Sequence, residues 1–466
     1  MTPMSFKGSP KPRNRWLSLL ILCAGQLMII LDGSIVNVAM PAIQRDLGFT
    51  QSALAWVVNA YLIAFGGLLL LAGRLGDLIG RKRMFVAGLV VFTVASFLCG
   101  VSPSQETLIA ARFLQGAGGA MASAVVLGMI VTMFPEPKLR AKAIGVFSFV
   151  SAAGASIGLL AGGVLTDAIS WNWIFFINIP IGVVATVFAA RFDADRGSGL
   201  GRGADVVGAL LVTSGLMLLV YAIVEPGQLG LVAVAAALLV AFVVRQAKAR
   251  TPLLALRIFR SRQVSAANVI QVLMVAGLFG FQFLGALYLQ QVLGYDALRT
   301  GLAYLPVTIA IAAVSLFVRL RPRLALNGGL ALVAVALLLL AQAPVDGQYL
   351  IHVLPGMVLL GVGAGLALPT VMSLAMSGAT AEDSGLASGL INTTQQVGAA
   401  VGLAVLSALA AGRAEGEAAK GIAHAQALTS GFHVAFAVSA VFVAAAIVVS
   451  ATLLRHKEKT AEPVLV

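Results

Sequence analysis

Fourteen apolar runs, separated by short polar or basic segments, leave this chain few folds to choose from. They lie near residues 17–40, 53–72, 84–102, 107–133, 142–165, 173–191, 206–225, 229–244, 264–290, 299–318, 324–343, 351–377, 384–411 and 431–454. A helix rising about 1.5 Å per residue crosses the ~30 Å hydrocarbon layer in some twenty residues. Lipid offers the backbone no hydrogen-bonding partner, so each run is expected to be an α-helix. The expected fold class is therefore an all-α polytopic membrane protein with 14 transmembrane helices. Composition agrees: 60% of the 466 residues are hydrophobic and only 11% are charged, which excludes a soluble core. The eighth run is short, and Arg245 can snorkel from its end. The first run is too long for a signal-peptide core and lacks a convincing cleavage site, so it is expected to stay as a helix. Cys23 and Cys99 both fall inside apolar runs, so neither a disulfide framework nor a metal site is expected.

A formal charge of +13 would suit a nucleic-acid binder, but the placement of the charges argues otherwise. With the N-terminus inside, the cytoplasmic segments collect Lys7, Lys11, Arg13 and Arg15, then Arg74, Arg81, Lys82 and Arg83, then Lys138, Arg140 and Lys142. Arg191, Arg196 and Arg202 follow, and then the acid-free run from Arg245 to Arg262. Arg319, Arg321 and Arg323 come next, and Arg455, Lys457 and Lys459 close the chain. The outer loops hold only Arg45, Arg299, Arg413 and Lys420. Losing one span would invert every later loop, so the count is even and both termini are expected in the cytoplasm. The positive excess reads as topology and contact with anionic lipid, with no nucleic-acid partner expected.

The long inner connections Phe192–Asp205 and Arg245–Arg262 bracket spans seven and eight. They divide the chain into residues 1–192, an inserted helix pair over 193–250 and residues 251–466, as two six-helix halves flanking a hairpin. No soluble segment is large enough for separate chemistry. No Ser/His/Asp, HExxH or Walker pattern is present, and the four histidines sit at span ends, in outer loops or in the tail. An enzyme is not expected, nor a cofactor or metal. A channel would show a repeated filter and a sensor would carry an output domain; the sequence displays neither.

Asp32 is the residue that does not belong in lipid. It lies about 24 Å along the first run from Trp16, in the far half of the bilayer, where a carboxylate costs about 2.5–3.5 kcal/mol on insertion scales. It must face a protein interior or a wet cavity. There it either loads and releases a proton or serves architecture alone through fixed hydrogen bonds. Arg112 lies about 9 Å inside the outer end of span four, and Asp32 about 13 Å inside the end of span one. Their comparable depth allows an electrostatic link; alternatively Arg112 ties helices together.

Four motifs carry a family resemblance. The first inner hairpin reads Gly73-Arg-Leu-Gly-Asp77-Leu-Ile-Gly80-Arg81-Lys82-Arg83, and span four begins Leu108-Ile-Ala-Ala-Arg112-Phe-Leu-Gln115-Gly116-Ala-Gly118-Gly119. Span five carries Gly154, Gly158, Gly162 and Gly163, and span one reads Leu31-Asp32-Gly-Ser-Ile-Val-Asn37-Val-Ala-Met-Pro41. Trp56-Val-Val-Asn59-Ala-Tyr61 and Trp171-Asn-Trp-Ile-Phe-Phe-Ile-Asn178-Ile-Pro180 extend the pattern. Together these resemble the major facilitator superfamily, and within it the drug:proton antiporters with fourteen spans. Leu159 stands where the antiporter motif of span five usually has proline. The C-terminal half matches mainly through its spans and Ser388-Gly-Leu-Ile-Asn-Thr-Thr-Gln-Gln-Val-Gly398.

The resemblance implies a proton-coupled exporter of amphipathic small molecules in the cytoplasmic membrane, working by alternating access. Asp32 and Arg112 are then the proton-coupling pair. Gly73, Asp77, Gly80 and Arg81 form a conformational lock between the halves, and the span-five glycines form a packing motif. Candidate cavity residues are Asn37, Asn268, Gln271, Gln282, Asn392 and Gln395, with Gln290 near the same face of span nine; the amides equally suit helix-to-helix bonding. No second acid lies deep in the C-terminal half, which disfavours divalent cationic substrates. A monomer is expected. A narrow exporter of one endogenous metabolite and an importer on the same scaffold are the alternatives.

Overall fold

A computed structural model describes residues 12–50, 52–192, 203–224, 228–318, 320–377 and 384–453. Its helices are α1 (Pro12–Leu47), α2 (Trp56–Ile79), α3 (Arg81–Gly100), α4 (Gln105–Met133), α5 (Pro137–Ala168), α6 (Trp173–Phe176), α7 (Asn178–Ala189), α8 (Val206–Val224) and α9 (Leu229–Lys248). After them come α10 (Arg262–Leu287), α11 (Ala297–Phe317), α12 (Pro322–Leu340), α13 (Leu354–Ser377), α14 (Ser384–Ala418) and α15 (His424–Leu453). Single turns of π-helix follow α10 over Tyr288–Val292 and precede α13 over Tyr349–Val353. Residues 225–227 between spans seven and eight, linker residues 193–202, Arg319, residues 378–383 and both charged ends (1–11 and 454–466) lie outside the described residues.

The helix ends follow local chemistry. Ser104 caps α4 by accepting from Thr107 N while the Thr107 hydroxyl accepts from Ser104 N, which satisfies two amides that the first turn leaves free. Ser261 and Asp296 cap α10 and α11 in the simpler way. Proline at the first position starts α5 and α12, where its missing N–H costs nothing. Between α2 and α3 the chain reverses at one residue, Gly80, whose φ of 106° is open to glycine and strained for others.

Twelve helical segments among the described residues are long and apolar enough to cross a membrane. The expected spans at 142–165 and 173–191 correspond to α5 and to the pair α6–α7. Helix α5 is continuous, with Lys138, Arg140 and Lys142 in its first turns and an uncharged apolar sequence from Ala143 to Thr166. The other span is divided at Ile177 into α6 and α7, and its apolar length is Trp173–Ala189.

Helix α4 packs on α2 and α3, α1 on α5, and α7 on α3 and α1. In the second half of the chain, α10 packs on α14 and α15, α12 on α13 and α15, and α11 on α13. Two seams join these sets, α2 against α14 and α5 against α11. Helix α8 leans on both α2 and α14, and α9 packs on α8 with Val232, Val234, Val240, Val243 and Val244 exposed. In water such an apolar helix would be a liability, whereas lipid covers it at no cost.

Candidate functional site

Three close helix contacts build the interior around Asp32. A Cβ on Gly118 would stand 2.5 Å from Phe92 N, and one on Gly88 would stand 2.5 Å from Ala122 N, so α3 and α4 meet backbone to backbone. That approach puts Ser96 and Cys99 beside Gln115. The span-five glycines draw α5 onto α1: a Cβ on Gly154 would come 2.9 Å from the Leu27 side chain, and one on Gly158 would come 2.8 Å from Leu31 O. One on Gly162 would come 2.8 Å from Ile35 O, while Gly163 meets the start of α11 at Leu298. Small residues allow this spacing, as in other lipid-embedded helices. Their contact runs along α1 on both sides of Asp32 and fixes its rotation.

Asp32 is fully buried and Arg112 is 1% exposed. Arg112 Nη1 donates to Asp32 Oδ2 at 2.5 Å and to Gln115 Oε1 at 2.5 Å, and its Nε donates to Val57 O at 2.9 Å. The guanidinium lies over the Tyr61 ring, 4.4 Å from the centroid, with Phe175 at 5.7 Å. Two amides serve the other carboxylate oxygen. Gln115 Nε2 donates to Asp32 Oδ1 at 2.8 Å and to Ser96 Oγ at 2.8 Å, and Asn178 Nδ2 donates to Oδ1 at 2.9 Å. The carboxylate therefore receives donors from α4 and α7 inside an apolar shell. A buried pair needs such extra bonds, because Coulomb attraction alone does not offset the loss of hydration.

The matching depths read from the sequence thus correspond to direct contact. Sequence reasoning gave no role to Asn178, Gln115, Ser96 or Tyr61. Gln115 had a signal, since it stands one helical turn after Arg112 on the same face. Asn178 had a weaker one, as an amide at the start of α7, just before Pro180.

The other candidates separate. Asp77 accepts from Arg81 Nε at 3.1 Å and Nη2 at 3.0 Å, and Arg81 Nη1 reaches Gly128 O at 3.1 Å. These bonds join α2, α3 and α4. Lys82 Nζ donates to Phe192 O and Arg74 Nε to Gly203 O, so this loop also holds both ends of the linker before α8. Asn37 bonds its own helix at Gly33 O and Ser34 O. Asn268 donates to Val264 O and accepts from Thr394 Oγ1 at 2.9 Å, which binds α10 to α14. Asn392 donates to Ser388 O one turn back, and Gln271 is buried. Gln282 and Gln395 are half-buried. For Asn268, helix bonding is the reading that the geometry favours. Gln290 lies beyond α10 on the π-turn and donates to Val38 O at 3.0 Å, next to Gln291, which donates to Gln44 Oε1 at 2.8 Å. With Leu298 N donating to Asp167 Oδ2 at 2.8 Å, these bonds close the ends of α1 and α5 onto the second half.

Comparison with known proteins places this geometry. The puromycin resistance protein pur8 of Streptomyces alboniger is 38% identical over 418 residues, 86% of this chain and 83% of that protein. The cephamycin export protein CmcT of Amycolatopsis lactamdurans is 36% identical over 424 residues, 87% of each chain. A probable actinorhodin transporter of Streptomyces coelicolor is 36% identical over 425 residues, 86% of this chain and 73% of that one. Among solved structures, the POT family transporter PepTSo shares the fold with a TM-score of 0.69 at 16% identity, covering 96% of this chain and all of that one. A bacterial homologue of the lysosomal transporter Spinster gives 0.67 at 14% identity, covering 96% and 98%. Residues 22–403 match the description of the Major Facilitator Superfamily, and the chain belongs to that family.

Proposed function

We propose that this protein is a proton-coupled exporter of amphipathic small molecules, drugs or antibiotics, across the cytoplasmic membrane. The observation that carries the coupling is the sealed Asp32–Arg112 pair at 2.5 Å. A carboxylate with no exposed surface exchanges a proton with water only when the helices around it move. Its charge and the conformation of the protein are then linked, and a substrate that favours one conformation drives proton binding or release in the other. The relatives named for puromycin resistance and for cephamycin export support a substrate of that kind and outward transport.

Helix α5 and the pair α6–α7 complete fourteen spans in this reading, with the charged first turns of α5 at the cytoplasmic surface. The chain then divides as 1–192, 193–250 and 251–466, with the α8–α9 hairpin outside the two halves and both termini cytoplasmic. The loop charges support this arrangement, and external labelling of an Ala255→Cys variant in sealed cells would contradict it. Asp77 and Arg81 stabilise one state of the cycle, and the half-buried Gln282 and Gln395 are the amides best placed to meet substrate. The working unit is a monomer.

The test is uptake by inverted membrane vesicles against a panel of neutral and cationic amphiphiles. Accumulation that needs an imposed proton gradient and collapses with a protonophore is expected. Accumulation indifferent to the gradient would remove the coupling. Relatives named for a single compound favour a narrow exporter as second reading, which uptake of only one panel class would support.

A further inference from the structure

The two amides on Asp32 look alike in sequence, but their far ends differ. The Oε1 of Gln115 accepts from Arg112 Nη1 at 2.5 Å and from Cys99 Sγ at 3.6 Å, and both Nε2 hydrogens are used, on Asp32 and on Ser96. Exchanging the ends of this amide would set its NH2 against the Arg112 guanidinium and its oxygen against the Asp32 carboxylate. Gln115 is locked as a donor. Asn178 donates through Nδ2, while its Oδ1 is buried and has no partner. Exchange by rotation about its last side-chain bond costs it nothing at that oxygen. Several buried side-chain polar atoms among the described residues lack a partner, and Asn178 Oδ1 is the one whose own side chain also bonds Asp32.

We infer that Asn178 is the positioning residue that accommodates both charge states of Asp32, donating to the carboxylate and, after amide exchange, accepting from the carboxylic acid. The step balances simply. A proton adds to Asp32 Oδ1, the Asn178 Nδ2–H···Oδ1 bond breaks, the side chain turns, and an Asp32 O–H···Oδ1 Asn178 bond forms. Arg112 remains on Oδ2 and Gln115 keeps its bonds to Arg112 and Ser96. Without such a partner, a proton on Oδ1 would face two fixed donors. Among the described residues, the titratable and charged groups facing Asp32 are Arg112 from α4, Tyr61 from α2 and Cys99 from α3. Helices α6 and α7 contain no titratable residue, and Asp167 at the far end of α5 serves Leu298 N. Among the described contacts of the carboxylate, Asn178 is thus the one able to reverse its polarity without loss.

This inference rests on Asp32 being the group that takes the proton, and the test separates the two. Infrared difference spectra of the full-length protein in lipid, recorded across a pH jump, report the carbonyl band of a protonated carboxyl. A band missing from Asp32→Asn assigns it. In Asn178→Leu, which fills similar volume and neither donates nor accepts, that band should move to higher frequency. The pH profile of transport should also be displaced by about half to one unit toward alkaline pH, because a bond to the charged form is the stronger one lost. Asn178→Ser, whose hydroxyl both donates and accepts, should restore much of the parent profile. If Asp32→Asn removes no band, the proton-coupling reading itself fails. If the band is Asp32's but Asn178→Leu leaves frequency and profile unchanged, the role of Asn178 is overturned. If Asn178→Leu does not fold, the smaller Asn178→Ala, which likewise neither donates nor accepts, takes its place, and an unchanged band and profile in Asn178→Ala would overturn the role instead.

Discussion

Arg112→Met isolates the contribution of the buried pair. The substitution removes the partner of Asp32 Oδ2 and empties the donor positions at Gln115 Oε1 and Val57 O. Breaking a buried ion pair from one side costs about 3–5 kcal/mol, because the surviving charge is left uncompensated. Asp32→Asn leaves the guanidinium without its counter-charge in the same way, facing the neutral acceptors Gln115 Oε1 and Val57 O and the Tyr61 and Phe175 rings. The double variant Asp32→Asn/Arg112→Met contains no buried charge at this site. It still leaves two acceptors short, at about 1–3 kcal/mol each at most. The double variant should therefore be more stable than the sum of the single losses by about 2–3 kcal/mol. Equilibrium unfolding of the three variants and the parent in mixed micelles measures that coupling. Additivity within about 0.5 kcal/mol would refute the claim that the two side chains form one electrostatic unit.

Further outcomes follow from the same geometry. Gly158→Val places atoms against Leu31 O, 2.8 Å from the ideal Cβ, so α1 and α5 must part; a stability loss of about 1–3 kcal/mol with reduced export is expected, measurable by unfolding and vesicle uptake. Asp77→Asn removes the negative charge that faces Arg81 at a half-exposed site; transport should fall while membrane insertion and unfolding stay near the parent. Burial disfavours the charged form of Asp205, yet the Arg245 guanidinium, the Gly208 N–H and the Gln246 amide hold its carboxyl below the usual range. A depressed carboxyl contributes stability that is present above its unfolded value of about 4 and lost as pH falls through the lower folded value. The segment that Gln246 holds through Leu254 N should then become protease-sensitive only in strong acid in the parent, and already at neutral pH in Asp205→Asn.

The helices were legible because lipid enforces them, and Asp32 and Arg112 stood out because charge in lipid has to be explained. Their direct contact was half legible: helical rise gives depth, whereas facing depends on rotation, which the span-five and span-four glycines set through contacts between distant helices. Asn268 illustrates the limit of pattern. Its spacing fits a cavity wall, yet its oxygen meets Thr394 on α14, and no single-helix periodicity reports that. Gln290 was placed on a helical face, but a π-turn after α10 shifts the register and aims it at Val38. Hydropathy likewise cannot foresee the break at Ile177, where the change of direction puts Asn178 at the start of α7 with its amide on Asp32.

Asp32→Asn in proteoliposomes tests the central claim most directly, because it keeps the shape of the side chain and removes its capacity to cycle a proton. Two fluxes of one transported compound are compared, accumulation driven by a proton gradient and exchange between equal pools without one. The account predicts that Asp32→Asn abolishes gradient-driven accumulation and retains exchange in whole or in part. Gradient-driven accumulation at the parent level in Asp32→Asn would contradict it and place the coupling elsewhere in the chain.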